Sequence, residues 1–101
     1  MQMVRSATEA DLTRVVRQYV DGALIAVRAG FDALELHLGH NYLLSSFLSP
    51  NLNRRRDRYG GSLENRARFP RLVVRAVRDA VGGEVAVSAK LSMRDGVRGG
   101  L

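Results

Sequence analysis

The sequence predicts an α/β fold with two parallel strands, and three observations carry that prediction. Apolar residues recur at helical spacing over 12–27 and again over 69–80. A short strand-like run follows each of them, over 31–38 and 85–91. The last four elements, strand, loop, helix and strand, form a β-α-β unit, in which a right-handed crossover joins parallel strands.

Thr8-Glu9-Ala10-Asp11 opens the first helix, with Thr8 as cap and acids near the positive end of the helix dipole. Leu12, Val15, Val16, Tyr19, Val20, Ala23, Ala26 and Val27 mark its buried face. Asp21 and Arg28 face outward, and Gly30 ends the helix. In the first strand Leu34, Leu36 and Leu38 share one face, and Ala33, Glu35 and His37 share the other. A polar second face does not suit an ordinary two-sided core. It suits a barrel strand whose inner face becomes a site near its end.

Residues 39–61 form a long polar loop, uncommon in compact domains and often functional. A short helical piece is expected over 42–48, broken by Ser49-Pro50, and Tyr59-Gly60-Gly61 reads as plain turn chemistry. By itself the run Arg54 to Arg58 reads as a solvated loop. Ser62 caps the second long helix, whose expected buried stripe is Phe69, Leu72, Val73, Ala76, Val77 and Ala80. Pro70 removes one backbone bond and is expected to bend this helix or delay its regular part. Gly82-Gly83 ends it, and Arg94 to Gly100 reads as a loose tail.

The 101 residues suit one domain, and 46% hydrophobic with 26% charged residues is a globular balance. The absence of cysteine excludes disulfides, thiolate metal ligands and a cysteine nucleophile. No apolar run approaches the roughly 20 residues of a membrane span, and the N-terminus lacks a signal region. A cytoplasmic protein with no membrane partner is expected. The net charge is +6. The arginines are mostly scattered and no aromatic residues interleave with a basic stripe, so no nucleic-acid partner is expected. Lys90 is the single lysine among the 16 basic residues.

The stretch Leu34 to Leu44, LELHLGHNYLL, places His37, His40 and Tyr42 at the end of the first strand. Lys90 and Ser92 end the second. In parallel α/β folds, ligand chemistry collects at these carboxyl ends. His37 and His40 admit three readings. A zinc pair on a helix wants i, i+4 spacing and a third ligand, and no such set is visible, so no metal is expected. One histidine can simply be hydrogen-bonded in the interior. Both can instead point donors at one substrate oxygen and stabilise the charge that develops there, with Tyr42 as general acid. For Tyr42 the plain alternative is a packed ring with a wet hydroxyl. Spacing alone leaves these alternatives open.

The stretch AGFDALELHLGHNYLLSSFLSPNLNRRRDRYGGSLENRARF strongly resembles the old yellow enzyme family of FMN-dependent oxidoreductases, which includes NADH:flavin oxidoreductases and 2,4-dienoyl-CoA reductases. The shared pattern is Glu-Leu-His, the second His, Tyr-Leu-Leu, Phe-Leu-Ser-Pro, Asn-x-Arg-x-Asp-x-Tyr-Gly-Gly-Ser and Glu-Asn-Arg-x-Arg-Phe. It runs from Ala29 to Leu91. The resemblance implies a (β/α)8 TIM barrel with FMN at its carboxyl-end mouth, of which residues 1–101 are about one quarter to one third. Flavin would take hydride from NAD(P)H and pass it to an activated alkene or similar small-molecule acceptor. His37 and His40 would bind the acceptor's oxygen, Tyr42 would donate the proton, and Lys90 would lie by the flavin's pyrimidine edge.

Three positions depart from the family pattern. Lys90 stands where arginine is usual, keeping the charge but losing the planar fork. Asn41 stands where glycine precedes the tyrosine. Leu38 is bulkier than usual and is expected to reshape the pocket. The remainder of the barrel would be required, and a homo-oligomer is compatible. Met1-Gln2-Met3 opens just before a helix and Gly99-Gly100-Leu101 has no stopping character, so an excerpt of a longer frame is expected. The alternative is a truncated, noncatalytic chain that cannot bind FMN alone.

Overall fold

The computed structural model describes residues 4–101, and Met1-Gln2-Met3 lies outside them. The elements are α1 (Glu9–Arg28), β1 (Ala33–Leu38), α2 (Leu43–Leu48), α3 (Leu63–Val81) and β2 (Ala86–Leu91). The strands pair in parallel, in register from Ala33 opposite Ala86 to Leu38 opposite Leu91. β1 begins two residues later than the sequence suggests. Phe31 is exposed, although the Asp32 carbonyl still accepts from the Ala86 N–H at 3.0 Å.

A reciprocal capping box starts α1. Thr8 Oγ1 accepts from the Asp11 N–H, and the Asp11 carboxylate accepts from the Thr8 N–H. Arg5 and Arg14 also donate to that carboxylate. Leu12 and Ala23 are buried, with Val15, Val16 and Tyr19 packed beside them. α1 packs on α3, which Ser62 caps by accepting from the Asn65 N–H at 3.2 Å.

α3 stays a single helix through Pro70. The ring is fully buried, which offsets part of the cost of the one backbone bond it omits. The buried residues of α3 are Phe69, Pro70, Val73 and Val77, a line at i, i+4 and i+8 with the proline beside it. Leu72 falls just off that line and is exposed, against the sequence expectation.

The helices cover only one face of the sheet. Leu36 and Leu38 join Leu44, Phe47, Tyr59, Phe69, Val73 and Val77 in the core. On the opposite face Ala33, Glu35, Ala86, Ser88 and Lys90 are exposed and His37 is half-buried. This is the asymmetry the alternation in β1 predicts. Among the described residues no helix is long and apolar enough to cross a membrane.

The long loop is not a solvated arginine run. Asn53 Nδ2 donates to the carbonyls of Phe47 and Tyr59, both at 2.7 Å, while Oδ1 accepts from the Arg55 N–H. Arg55 reaches the Ala7 carbonyl at 2.9 Å, pairs with Asp57, and lies over the rings of Phe47 and Tyr59. Arg58 and the Tyr59 hydroxyl both donate to Glu9. From α3, Asn65 donates to the Gly60 carbonyl, Arg66 to Leu48 and Arg68 to Arg58. Arg54 and Arg56 fit the solvated reading, and Arg58 stays largely exposed while pairing with Glu9. Gly60 is more than a turn residue, because a Cβ there would lie 2.1 Å from the Arg55 carbonyl oxygen. The tail is tied as well: Asp95 accepts from the N–H of Leu101 and from Ser49 Oγ.

Arg5 and then Thr8 hold the Asp11 carboxyl well below its ordinary range. A lowered folded pKa gives stability that is complete above the unfolded value, near 4, and is lost as pH falls below it. Asp11→Asn should therefore lower the melting temperature at neutral pH, with the gap to the parent closing below about pH 4. Melts of both proteins between neutral and strongly acidic pH test this; a gap independent of pH would contradict it.

Candidate active site

The site is built by the sharp exit of the chain from β1. Gly39 is buried where the exits of β1 and β2 converge. A Cβ on it would sit 3.1 Å from Ser92 Oγ and 3.5 Å from the His37 ring. His40 and Asn41 follow with φ of 57° and 56°, both left-handed. Two consecutive non-glycine residues in that region are unusual, and such strain gathers at functional sites. Three bonds hold the turn. The Gly39 carbonyl accepts from the Tyr42 N–H at 3.3 Å and from Ser45 Oγ at 2.8 Å, and the His40 N–H donates to Ser92 Oγ at 3.0 Å.

The reversal gathers the proton-handling side chains. The ring centres of His40 and Tyr42 lie 5.1 and 5.5 Å from that of His37. Lys90 is the register partner of His37 on the neighbouring strand. Paired residues of parallel strands point to the same face, so the cation and the imidazoles share the uncovered side of the sheet. His40, Tyr42 and Lys90 are exposed; His37 is half-buried. Among the described residues Lys90 has no ion-pair partner. The arrangement offers two imidazoles and a phenol to one small region beside a free cation. Such donors can bind an oxygen that gains negative charge and can deliver a proton nearby.

Leu38 does not belong to this face. It is 7% exposed and packs with Leu36 in the core, so its bulk cannot reshape the pocket as the sequence suggested. Asn41 acquires a physical reason: its backbone needs a left-handed φ, which glycine adopts freely and asparagine tolerates better than most. The roles of Ser45 and Ser92 escaped the sequence reading. No local pattern identifies an acceptor 52 positions away.

The Asn41 backbone generates a prediction. Asn41→Gly should change stability little, whereas Asn41→Val should lose about 1–2 kcal/mol, because the side chain is exposed and only the φ preference changes. Urea midpoints of the two variants measure it; equal midpoints would contradict the left-handed assignment.

Comparison with known proteins bears on the whole chain. The family model described as NADH:flavin oxidoreductase / NADH oxidase matches residues 1–101. A 4,4'-dithiodibutanoate disulfide reductase of Rhodococcus erythropolis is 60% identical over 101 residues, covering 100% of this chain and 25% of the relative. Enoate reductase 1 of Kluyveromyces lactis is 51% identical over 77 residues, 76% of this chain and 19% of that protein. Among solved structures, histamine dehydrogenase from Rhizobium sp. 4-9 superposes with a TM-score of 0.90 at 36% identity, over 96% of this chain and 14% of its own. The chain thus spans a quarter or less of the length of these relatives. Its β-α-β unit is part of a (β/α)8 barrel, and the chain belongs to the NADH:flavin oxidoreductase / NADH oxidase family, the old yellow enzyme family.

Proposed function

We propose that this chain carries the acceptor-binding and proton-donating part of an FMN-dependent ene-reductase, working with the remainder of its barrel. The observation that carries the reading is the gathering of His37, His40 and Tyr42 on the uncovered face, with Lys90 in register beside His37.

The residues fit a flavin. Lys90 is a cation without an ion-pair partner among the described residues, on a sheet face with no covering helix. It would hold the electron-rich pyrimidine edge, where a positive charge favours the reduced, anionic form. When bound, FMN supplies hydride transfer between NAD(P)H and the acceptor. The chain's own residues do the rest. His37 and His40 donate N–H to the acceptor's carbonyl or nitro oxygen, orienting it and stabilising the negative charge it gains. Tyr42, 66% exposed at the mouth, holds the proton for the carbon alpha to that group.

A second acceptor class is favoured by the relative of 60% identity, which is named for disulfide reduction. Adding a hydride and a proton to a disulfide breaks the S–S bond and gives two thiols. The same donors suit the thiolate that leaves. Side-by-side turnover of an α,β-unsaturated ketone and a carboxylated aliphatic disulfide separates the two; faster disulfide turnover decides for the second.

In the full-length, FMN-loaded protein, Tyr42→Phe should leave flavin reduction by NAD(P)H within about twofold and slow alkene reduction by about 10²-fold or more. Equal loss in both half-reactions would remove the proton-donor role. Replacing His37 and His40 together by alanine should weaken binding of a simple phenol, an oxyanion mimic, by about tenfold or more. Unchanged phenol affinity would remove the oxygen-binding role.

A further inference from the structure

We infer that Ser92 is a positioning residue for acceptor binding, setting His40 and Tyr42 relative to Lys90; this rests on the reading of those side chains given above. Ser92 Oγ accepts the backbone N–H of His40 at 3.0 Å, joining the exit of β2 to the exit of β1 across 52 positions of sequence. The residue it holds needs holding. His40 and Asn41 are both left-handed, a conformation that is strained for a non-glycine residue and persists only where surrounding contacts fix it.

Packing points the same way. Gly39 comes so close to Ser92 that an added Cβ would lie 3.1 Å from Oγ, so the two strand exits are in direct apposition. A second bond anchors the far end of the same strap. Asp95 Oδ2 accepts from Ser49 Oγ at 2.7 Å, and Ser49 is the nearly inaccessible C-cap of α2. The segment leaving β2 therefore grips the loop ahead of α2 at His40 and behind it at Ser49. Tyr42, the N-cap of α2, lies between those grips. Lys90 stands two residues before Ser92, so one short segment sets the spacing from the cation to the donors. Ser92 touches no reacting group in this scheme. Its loss should disturb acceptor binding and leave hydride supply alone.

The test uses the full-length, FMN-loaded enzyme. Ser92→Ala should weaken binding of a simple phenol by about three- to tenfold and lower kcat/KM for the acceptor by a similar factor. Flavin reduction by NAD(P)H should stay within twofold. A merely structural role would lower the melting temperature and leave the phenol affinity of the folded, flavin-loaded protein unchanged; that outcome overturns the inference. The His37→Ala, His40→Ala double variant is the control. If it binds phenol as the parent does, the histidine reading fails. If it binds weakly while Ser92→Ala binds normally, only the Ser92 inference fails. Should Ser92→Ala not retain flavin, hydrogen exchange on the unaltered enzyme decides. The His40 amide should exchange at least tenfold more slowly than an unbonded amide in an exposed turn, and unslowed exchange overturns the inference.

Discussion

The chain between Leu38 and Ser62 crosses the end of the sheet with only one short helix, and its backbone polar groups must still find partners. That constraint organises the molecule. The carbonyls of Phe47, Leu48, Arg58, Tyr59, Gly60 and Gly61 are all met by asparagine or arginine side chains. Asn53 does the central work, tying Phe47 to Tyr59 with a single amide group. The loop is thereby a folded layer with a fixed surface, sandwiched between the start of α1 and the start of α3.

The fixed layer lets the opposite end of the loop be strained. Two left-handed residues in succession would open readily in a free turn. Here Gly39 is clamped beside Ser92, and Ser45 holds its carbonyl from α2. α2 is in turn buried against α3 through Leu44, Phe47 and Leu48. The hydrophobic side of the sheet supplies rigidity, and the bare side carries His37 and Lys90. β1 carries both in alternate residues, with Leu36 and Leu38 facing the helices and His37 facing the open side.

Much of this was legible in the sequence because it is local. Alternation in β1, the Thr8 and Ser62 caps and the apolar spacing of α1 each involve residues within a few positions of one another. The parts that were not legible depend on distant partners. Arg55 and Arg58 look like plain loop residues until Ala7, just before α1, and Glu9, its first residue, are brought to them. Leu72 matches the helical period yet falls outside the contact line, because Phe69, Val73 and Val77 set the angle at which α3 meets its neighbours. Leu38 read as a pocket residue because of where it stands in the chain, whereas the parity of the strand turns it into the core. The gathering of His37, His40 and Tyr42 was visible as spacing, but the backbone that gathers them was not.

The choice of arginine as the partner of Glu9, Asp57 and Asp11 has a consequence for how the protein responds to pH. A guanidinium does not titrate in the accessible range. Its carboxylate partners are shifted down: Arg58 and Tyr59 lower Glu9, Arg55 lowers Asp57, and, ahead of α1, Arg5 lowers Asp11. These three carboxylates are therefore held in their charged form as conditions turn mildly acidic. If the proposed site is the reacting one, a pH–rate profile of the full-length protein would read its groups against arginine–carboxylate pairs whose own charge stays constant.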